Sequence, residues 1–442
     1  MELHIGLDDT DSKKGGCTTY IAARLVEKLS NMGAKFIDYP NIVRLNPNIP
    51  YKTRGNAAAA LRFNVQNKQY SAVQEMVIDE VEGNSQLGAA GTDPAVVFLK
   101  GKPPHAIKRF SRKALYDLLP QEEALETLRR SRAAAVAYGT RLGLVGALSA
   151  IGQTLTGDHT FELVAYREKK NWATPRRVNE SSVMRMDRLT APGTFNNYDF
   201  KNKRMLVTPH GPDPVLLGIR GENPYIVVEA FRMLKIQEPV ERWVVFRTNH
   251  GTDAHLKLSR LNDRVKPFSP AVLRGFVADN PERISGGHVF FTLRYRSGAI
   301  RCAAFEPTGR LREITAKLIP GDEVTVFGGT KKRIAHLAIA VNMEKLLTHR
   351  LADEFVVENP TCPRCGKHLK SAGKGQGFRC VRCSFEEPSA EKKILSKRRS
   401  LQLGLYLPDM KAHRHLTKPI SRYGYEKKKW SHSPPSSGWH DP

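Results

Sequence analysis

Three carboxylates crowd one short loop near the start of the chain. Asp8, Asp9 and Asp11 lie in GLDDTDSKKGGCTT, directly after ELHIGL, a run that suits a buried strand. Carboxylates this close repel one another unless a cation sits among them. Hard oxygen donors of this kind suit Mg²⁺, which binds through one or two carboxylates plus phosphate oxygens. The loop then opens a helix near Thr18, and a helix N-terminus attracts anions through free N–H groups and the dipole. Metal, helix start, the glycines, Lys13 and Lys14 together would hold a nucleoside triphosphate. A solvated turn with an Asp cap is the competing reading. A second stretch, GTRLGLVGALSAIG from Gly139 to Gly152, lacks the GK[ST] ending of a Walker loop. Phosphate binding and a close-packed helix of small residues both fit it.

The other chemistry is sulfur. Cys362-Pro-Arg-Cys365 and Cys380-Val-Arg-Cys383 are two knuckles separated by fourteen residues. Two such pairs complete a closed tetrahedral site that suits structural Zn²⁺ and leaves no open position for catalysis. Two disulfides or a redox CxxC are the alternatives. Gly366, Gly373, Gly375 and Gly377 let the intervening hairpin turn, and Arg364, Lys367, Lys370, Arg379 and Arg382 surround the knuckles. Cys17 and Cys302 stand apart and are not expected to be ligands.

The elements that must position these groups alternate in type. Strands are expected at Leu3–Leu7, Phe36–Asp38, Ile42–Leu45 and Val96–Leu99, with a helix over Thr18–Met32. NPNIPY and the small residues of RGNAAAA are expected to interrupt the pattern. Two helices then carry a basic region from Lys100 to Arg141. Strands follow at Thr160–Tyr166, Met205–Val207, Tyr225–Val228 and Trp243–Arg247. Residues 270–342 differ: five short strands, at Leu273–Ala278, His288–Tyr295, Ile300–Phe305, Glu323–Phe327 and Ile334–Val341, with a helix at Leu311–Leu318. That order fits an OB-fold barrel, with Phe290, Tyr295 and Phe305 either stacking on bases or filling the core.

The 442 residues exceed one ordinary core, so several domains are expected. The net charge is +26, which favours a polyanion, most simply nucleic acid. It is uneven: residues 361–442 hold 18 Lys+Arg against 6 Asp+Glu, a net of +12. No apolar run approaches a membrane span, and the start reads as a strand rather than a secretory leader, so a cytoplasmic protein without a membrane partner is expected. Two classes remain: an ATP-using RNA enzyme, or a non-catalytic single-strand-binding protein built on OB-fold and zinc ribbon. The acidic loop favours the enzyme, because a passive binder has no need of clustered carboxylates beside its RNA.

In this order the segments resemble the archaeal tRNA agmatinylcytidine synthetase family. The carriers are GLDDTDSKKGGCTTYIAARL, PNIPYKTRGNAA, GLVGALSAIG, FELVAYR, TFNNYD, PHGPDPVLLGIRG, RTNHGTDAHL, the barrel, the CxxC pairs and RHLTKPISR. The resemblance implies a multidomain α/β and α+β chain. A kinase-like catalytic domain would span 1–190 and a ferredoxin-like domain 191–265, the two either consecutive or interleaved, followed by an OB-fold at 266–345 and a zinc ribbon with basic C-terminal region at 358–425. A disordered tail is expected at 430–442. The implied activity joins agmatine to C2 of the first anticodon cytidine of the CAU-anticodon isoleucine tRNA. ATP is consumed to AMP and two phosphates, and decoding moves from AUG to AUA. The resemblance further implies catalysis by Asp8, Asp9 and Asp11, self-phosphorylation of Thr18, and ATP contacts at Gly6, Thr10, Lys13, Gly15, Gly16, Gly143 and Gly146. A carboxylate would meet the agmatine guanidinium, and Asp199, Asp213 and Glu222 lie in the family-like loops. ATP, Mg²⁺ and structural Zn²⁺ are the expected small partners.

Overall fold

A computed structural model describes the chain except residues 53–54, 260–264, 333–338, 430–432 and 442. The α/β part begins with β1 (Glu2–Asp8), α1 (Thr18–Asn31), β2 (Lys35–Phe36), β3 (Asn41–Arg44), β4 (Ala57–Asn64), α2 (Tyr70–Asn84) and β5 (Ala95–Lys100). It continues through α3 (His105–Lys113), α4 (Gln121–Ser131), β6 (Ala134–Ala137), α5 (Gly143–Gly152), β7 (Thr160–Arg167) and α6 (Glu180–Thr190). β8 (Thr194–Phe195), β9 (Tyr198–Asp199), β10 (Arg204–Met205), β11 (Val215–Gly221), α7 (Pro224–Arg232), β12 (Val240–Thr248) and α8 (Ala254–Ser259) complete it.

One sheet organises this part, in the order β6-β5-β1-β4-β3-β12-β7-β11-β8. Its two halves meet at a narrow parallel seam, where only Asn41 and Ile42 of β3 pair with Arg247 and Thr248 of β12. An ion pair from Arg247 to Asp38 (Nε to Oδ1, 2.9 Å) reinforces the junction. β7 lies between β12 and β11, so a domain boundary at residue 190 would separate the second half-sheet from its own strand. α5, by contrast, packs on β1, β4 and β5 of the first half. The change from one half to the other therefore falls between α5 and β7.

Two further expectations are corrected. The alanines of RGNAAAA do not interrupt the sheet; they form the central strand β4. Ala58 and Ala60 face the α5 core and Ala59, Leu61 and Phe63 the α1 core, and small side chains let α5 approach the sheet closely. Tyr225–Val228 belongs to α7 and is not a strand. The Asn223 side chain accepts from Ile226 N (2.9 Å) and Pro224 occupies the first turn, a local start signal that outweighs the β-branched run.

The barrel comprises β13 (Pro270–Val277), β14 (Glu282–Arg283), β15 (Val289–Tyr295), β16 (Gly298–Ala304), α9 (Arg310–Thr315), β17 (Glu323–Lys331) and β18 (Ala340–Arg350). β13 pairs with both β17 and β15, which closes it. This is the expected OB-fold. The last strand begins later than Ile334, since β18 starts at Ala340 and residues 333–338 lie outside the described ones. Phe290 is core (3% exposed), and Phe305 packs on it at 6.3 Å; a stacking role for Phe290 is thereby removed. After the barrel, β19 (Glu354–Glu358) leads out to β20 (Lys370–Ser371), β21 (Phe378–Arg379) and β22 (Glu386–Glu387) around the cysteines. β23 (Lys393–Lys397) then pairs back onto β19, and β24 (Gly404–Tyr406) rejoins β18.

From there a strap, residues 407–429, crosses back to the α/β part. Arg422 on the strap is fully buried and ion-pairs with Asp158 (3.0 Å) and Glu222. Lys345 of β18 reaches Asp253 and the Lys418 carbonyl. Of the tail expected to be disordered, residues 430–432 and 442 lie outside the described ones, and the described Trp439–Asp441 are packed. β25 (His440–Asp441) pairs with Trp243 and Val244 of β12, and Trp439 is 4% exposed, edge-on to Phe36 (5.5 Å) and Tyr39 (5.7 Å). The physical reason is the narrow seam. β3 covers only the end of β12, and an open strand edge beside an apolar pit recruits a further strand. Trp439→Ala should therefore lower stability by about 3 kcal/mol, read as a lower denaturant midpoint; an unchanged midpoint would mean that the tail is not packed. No described helix is long and apolar enough to cross a membrane.

Candidate active site

The strand alternation of β1 decides where the acidic loop points. Leu3, Ile5 and Leu7 enter the core under α1, which leaves His4, Gly6 and Asp8 on the α5 face. α5 sits so close that a Cβ on Gly6 would lie 2.0 Å from the Ala147 carbonyl oxygen. One residue earlier on α5, a Cβ on Gly146 would lie 1.7 Å from Asp8 Oδ2. The glycine-rich stretch is thus a packed helix that makes room for a carboxylate. Asp9 leaves the strand with φ +58°, and its Oδ2 accepts from the Asp93 amide at 2.9 Å. Burial, then Asp9 and Asp11, push the Asp8 carboxyl well above its ordinary range. Burial, with Asp11 and Asp93 adding, raises Asp9 to about 6 although the Asp93 N–H opposes it. Thr18 opens α1, and its hydroxyl lies 2.9 Å from that of buried Thr10.

These groups border a cavity of about 580 Å³. Asp8, Asp9, Asp11, Thr18, Gly143 and Gly146 line one side; Glu162, Gly218, Arg220 and Asp213 of the second half-sheet and Lys411, Arg414 and His415 of the strap line others. The volume suits a nucleotide-sized ligand. Among the described residues, the only group whose ligand atoms all gather within 4.8 Å of one another is the cysteine set, so one ion would not be held by Asp8, Asp9 and Asp11 together. One or two of them with phosphate oxygens is the arrangement that Mg²⁺ prefers.

The remaining residues singled out in the sequence fall elsewhere. Gly6 serves helix packing. Lys13 and Lys14 are exposed at a tight turn closed by Ser12 and Gly15, and Gly16 packs on the Thr10 carbonyl; none of them, nor Thr10, borders the cavity. Asp199 is buried and accepts from Asn202 N (3.0 Å) and Nδ2 (2.8 Å), closing a loop. Glu222 anchors the strap through Arg422 and Lys427. Only Asp213 of the three reaches the cavity, and it also pairs with Arg176 at 3.2 Å. Sequence reasoning missed Asp93, Arg44, Glu162, His250 and His415. Each is an isolated residue whose partners lie far along the chain, so no local spacing marks it.

The cysteines converge as their spacing predicts. Sγ–Sγ distances are 3.5 Å for Cys362–Cys383 and 3.4 Å for Cys365–Cys380. That is far beyond an S–S bond and near the ~3.8 Å edge of a tetrahedron with Zn–S bonds of ~2.3 Å. The amides of Cys383 and Arg382 lower the Cys380 thiol, while the neighbouring cysteines raise that of Cys383, the pattern of sulfurs crowded without a shared cation. The donor set fits zinc.

Family models match in succession between residues 4 and 401: the TiaS TCKD domain over 4–140 and the TiaS FLD domain over 142–255. An OB-fold nucleic acid binding domain matches 271–346 and the TiaS C-terminal zinc ribbon domain 359–401. The tRNA 2-agmatinylcytidine synthetase TiaS of Staphylothermus marinus is 40% identical over 435 residues, 96% of this chain and 94% of its own. The chain belongs to the TiaS family. A crystal structure of TiaS in complex with an isoleucine tRNA, AMPCPP and agmatine superposes with a TM-score of 0.85 at 36% identity, covering 96% of this chain and 97% of that one. The complex of TiaS with the same tRNA and ATP gives 0.87 at 38%, with the same coverage.

For this TiaS family member, the contact between Gly146 and Asp8 has a testable consequence. Gly146→Ala must turn the Asp8 carboxylate away. Misplacement on that scale lowers a positioned reaction by about 10²-fold. Phosphoryl transfer from labelled ATP should fall accordingly; a parent-like rate would show that Asp8 is not held in a working position there.

Proposed function

We propose that this chain uses ATP to join agmatine to C2 of the wobble cytidine of the CAU-anticodon isoleucine tRNA, so that the tRNA reads AUA in place of AUG. The observation that carries this reading is the composite cavity. It brings the acidic loop, Thr18 and the strap of a basic, barrel-bearing chain to one place.

The chemistry follows from the leaving group. The C2 oxygen of cytosine would have to depart as oxide, which is prohibitively basic. Transfer of a phosphoryl group from ATP to O2 converts it into phosphate. The agmatine amine then attacks C2, the C2–O2 bond breaks, phosphate departs, and the amine proton passes to a base. Transfer of the γ-phosphoryl leaves ADP, and water cleaves its remaining anhydride bond to give AMP and the second phosphate. Phosphoryl transfer needs positioning and charge neutralisation more than covalent help from the protein. One or two of Asp8, Asp9 and Asp11 would hold Mg²⁺, which supplies charge neutralisation on the phosphates. A carboxylate of this loop that does not hold the cation would accept the amine proton. Thr18, with its hydroxyl held by Thr10, is the acceptor for self-phosphorylation. Asp213 is the carboxylate placed to meet the agmatine guanidinium.

The deciding experiment incubates the protein with the tRNA transcript, ATP and agmatine, then analyses nucleosides by mass spectrometry. The expected product is the wobble cytidine heavier by agmatine less one water. Tight tRNA binding with neither modified cytidine nor ATP turnover would instead establish a passive RNA-binding protein.

A further inference from the structure

The cavity also has a cationic wall in which two guanidiniums share one contacting carboxylate. Arg44 ends β3 at the seam, and its Nε donates to Nε2 of His250. His250 Nδ1 lies 2.9 Å from Glu162 Oε2, and Glu162 Oε1 accepts from Arg220 Nε at 3.0 Å. His415 of the strap stacks on His250 with ring centroids 5.0 Å apart. Arg44, Glu162, Arg220 and His415 all border the cavity. Glu162 and His250 are buried, so the two guanidiniums are braced from behind. The cavity loop is shaped to them as well. A Cβ on Gly55 would lie 2.5 Å from Arg44 Nη1 and 2.9 Å from the His415 ring.

The charge count is two guanidiniums against one carboxylate. Among the described residues no carboxylate oxygen lies within 4.0 Å of Arg44, and Arg220 has Glu162 alone. The imidazoles do not add charge: burial, then the neighbouring arginines, hold His415 well below its ordinary value, and burial with Arg44 holds His250 at about 4 against the pull of Glu162. Glu162 itself stays ionised, because the Arg220 and Arg44 guanidiniums and the neighbouring His250 ring outweigh the burial that would raise it. A cation kept out of bulk water without full counter-charge is destabilising unless an anion joins it. Arginine forks in such a setting match phosphate oxygens. A merely structural guanidinium would be ringed by carbonyls, as Arg62 is by those of Ala150, Ile151 and Gln153.

We propose that Arg44 and Arg220, braced by Glu162 and His250, form a phosphate-binding wall of this cavity. The proposal rests on the functional reading above only in that both sources of phosphate, the nucleotide polyphosphate and the RNA phosphodiester beside the target cytidine, enter the same cavity. Glu162 and His250 act through the arginines and are positioning residues.

The test uses the full-length, zinc-loaded protein without agmatine or Mg²⁺, so that no phosphoryl group is transferred from ATP. Affinities for inorganic tripolyphosphate, ATP and the tRNA are measured for the parent, Arg44→Gln, Arg220→Gln and Arg44→Lys. Each Gln variant should weaken at least one phosphate ligand by about tenfold, the loss of one charge-assisted hydrogen bond, and Arg44→Lys should recover part of it. Loss for tripolyphosphate and ATP with the tRNA unaffected assigns the wall to the nucleotide; loss for the tRNA alone assigns it to the RNA backbone. If Arg44→Gln fails to fold, Arg220→Gln, whose side chain is partly exposed, carries the test. Parent-like affinity for all three ligands in folded variants overturns the proposal. A parent protein that binds tripolyphosphate through Arg220 yet makes no modified cytidine would sink the functional reading and leave this site standing.

Discussion

Asp8→Asn should abolish labelling of the RNA by γ-labelled ATP, by roughly 10³-fold or more, the scale on which phosphoryl transfer depends on a charge-neutralising group. tRNA affinity should stay within a few-fold, because the basic surfaces, α3 and α4 with Lys108, Arg109, Arg129 and Arg130 and the region after residue 360, lie elsewhere in the chain. The stability change should have the opposite sign. In the fold, the Asp8 carboxyl is raised above the value it has in the unfolded chain. The folded state therefore binds more protons than the unfolded one between the ordinary value near 3.8 and the raised one. Over that window stability falls as pH rises. A neutral, nearly isosteric Asn removes the penalty, so with divalent cations chelated the variant should melt no lower than the parent at neutral pH. Loss of activity with unchanged or higher melting temperature marks a group kept for chemistry at a cost in stability. An Asp8→Asn protein that labels RNA at the parent rate would reduce the acidic loop to a turn.

Cys380→Ser should eliminate the single bound zinc and unfold the ribbon while leaving the α/β part intact. The ribbon core consists of Leu369 and Phe378 with the cysteines, and partly buried Phe385 and Ala390. A unit this small buries too little apolar surface to offset its chain entropy, and such modules hold together through metal binding worth about 10 kcal/mol or more. Elemental analysis of the parent should show one zinc per chain, and none should remain in the variant. tRNA affinity should drop about tenfold or more, with a shallower salt dependence, since Arg364, Lys367, Lys370, Arg379 and Arg382 lose their fixed arrangement. Self-phosphorylation should persist, because Thr18 and the acidic loop lie on the first half-sheet. A protein that purifies without metal and keeps its ribbon proteolytically resistant would refute the site.

The elements that sequence alone determined are those whose cause is local. The two CxxC knuckles carry their geometry in their own spacing, and Cys362, Cys365, Cys380 and Cys383 meet without help from distant parts of the chain. Asp8 ends β1 and Asp9 and Asp11 follow within three residues, so a strand, a loop and the helix opened by Thr18 sufficed to place them at one end of the sheet. The alternating runs of the barrel specified β13, β15, β16 and β17 for the same reason. What the tertiary structure alone decided depends on contacts between residues far apart. Gly146 reads as a phosphate-loop glycine until α5 is seen lying on Asp8. The four alanines read as an interruption until α5 and α1 cover the two faces of β4. Glu222 reads as a ligand for a cationic substrate until Arg422, two hundred residues later, is found against it. Trp439 reads as disordered until the seam between β3 and β12 offers it a pit. Arg44, Glu162, Arg220 and His415 come from β3, β7, β11 and the strap, and only the folded chain makes them one surface. Local spacing encodes hydrogen bonding and metal geometry over a few residues, whereas burial and charge compensation are properties of space, which the order of residues does not display.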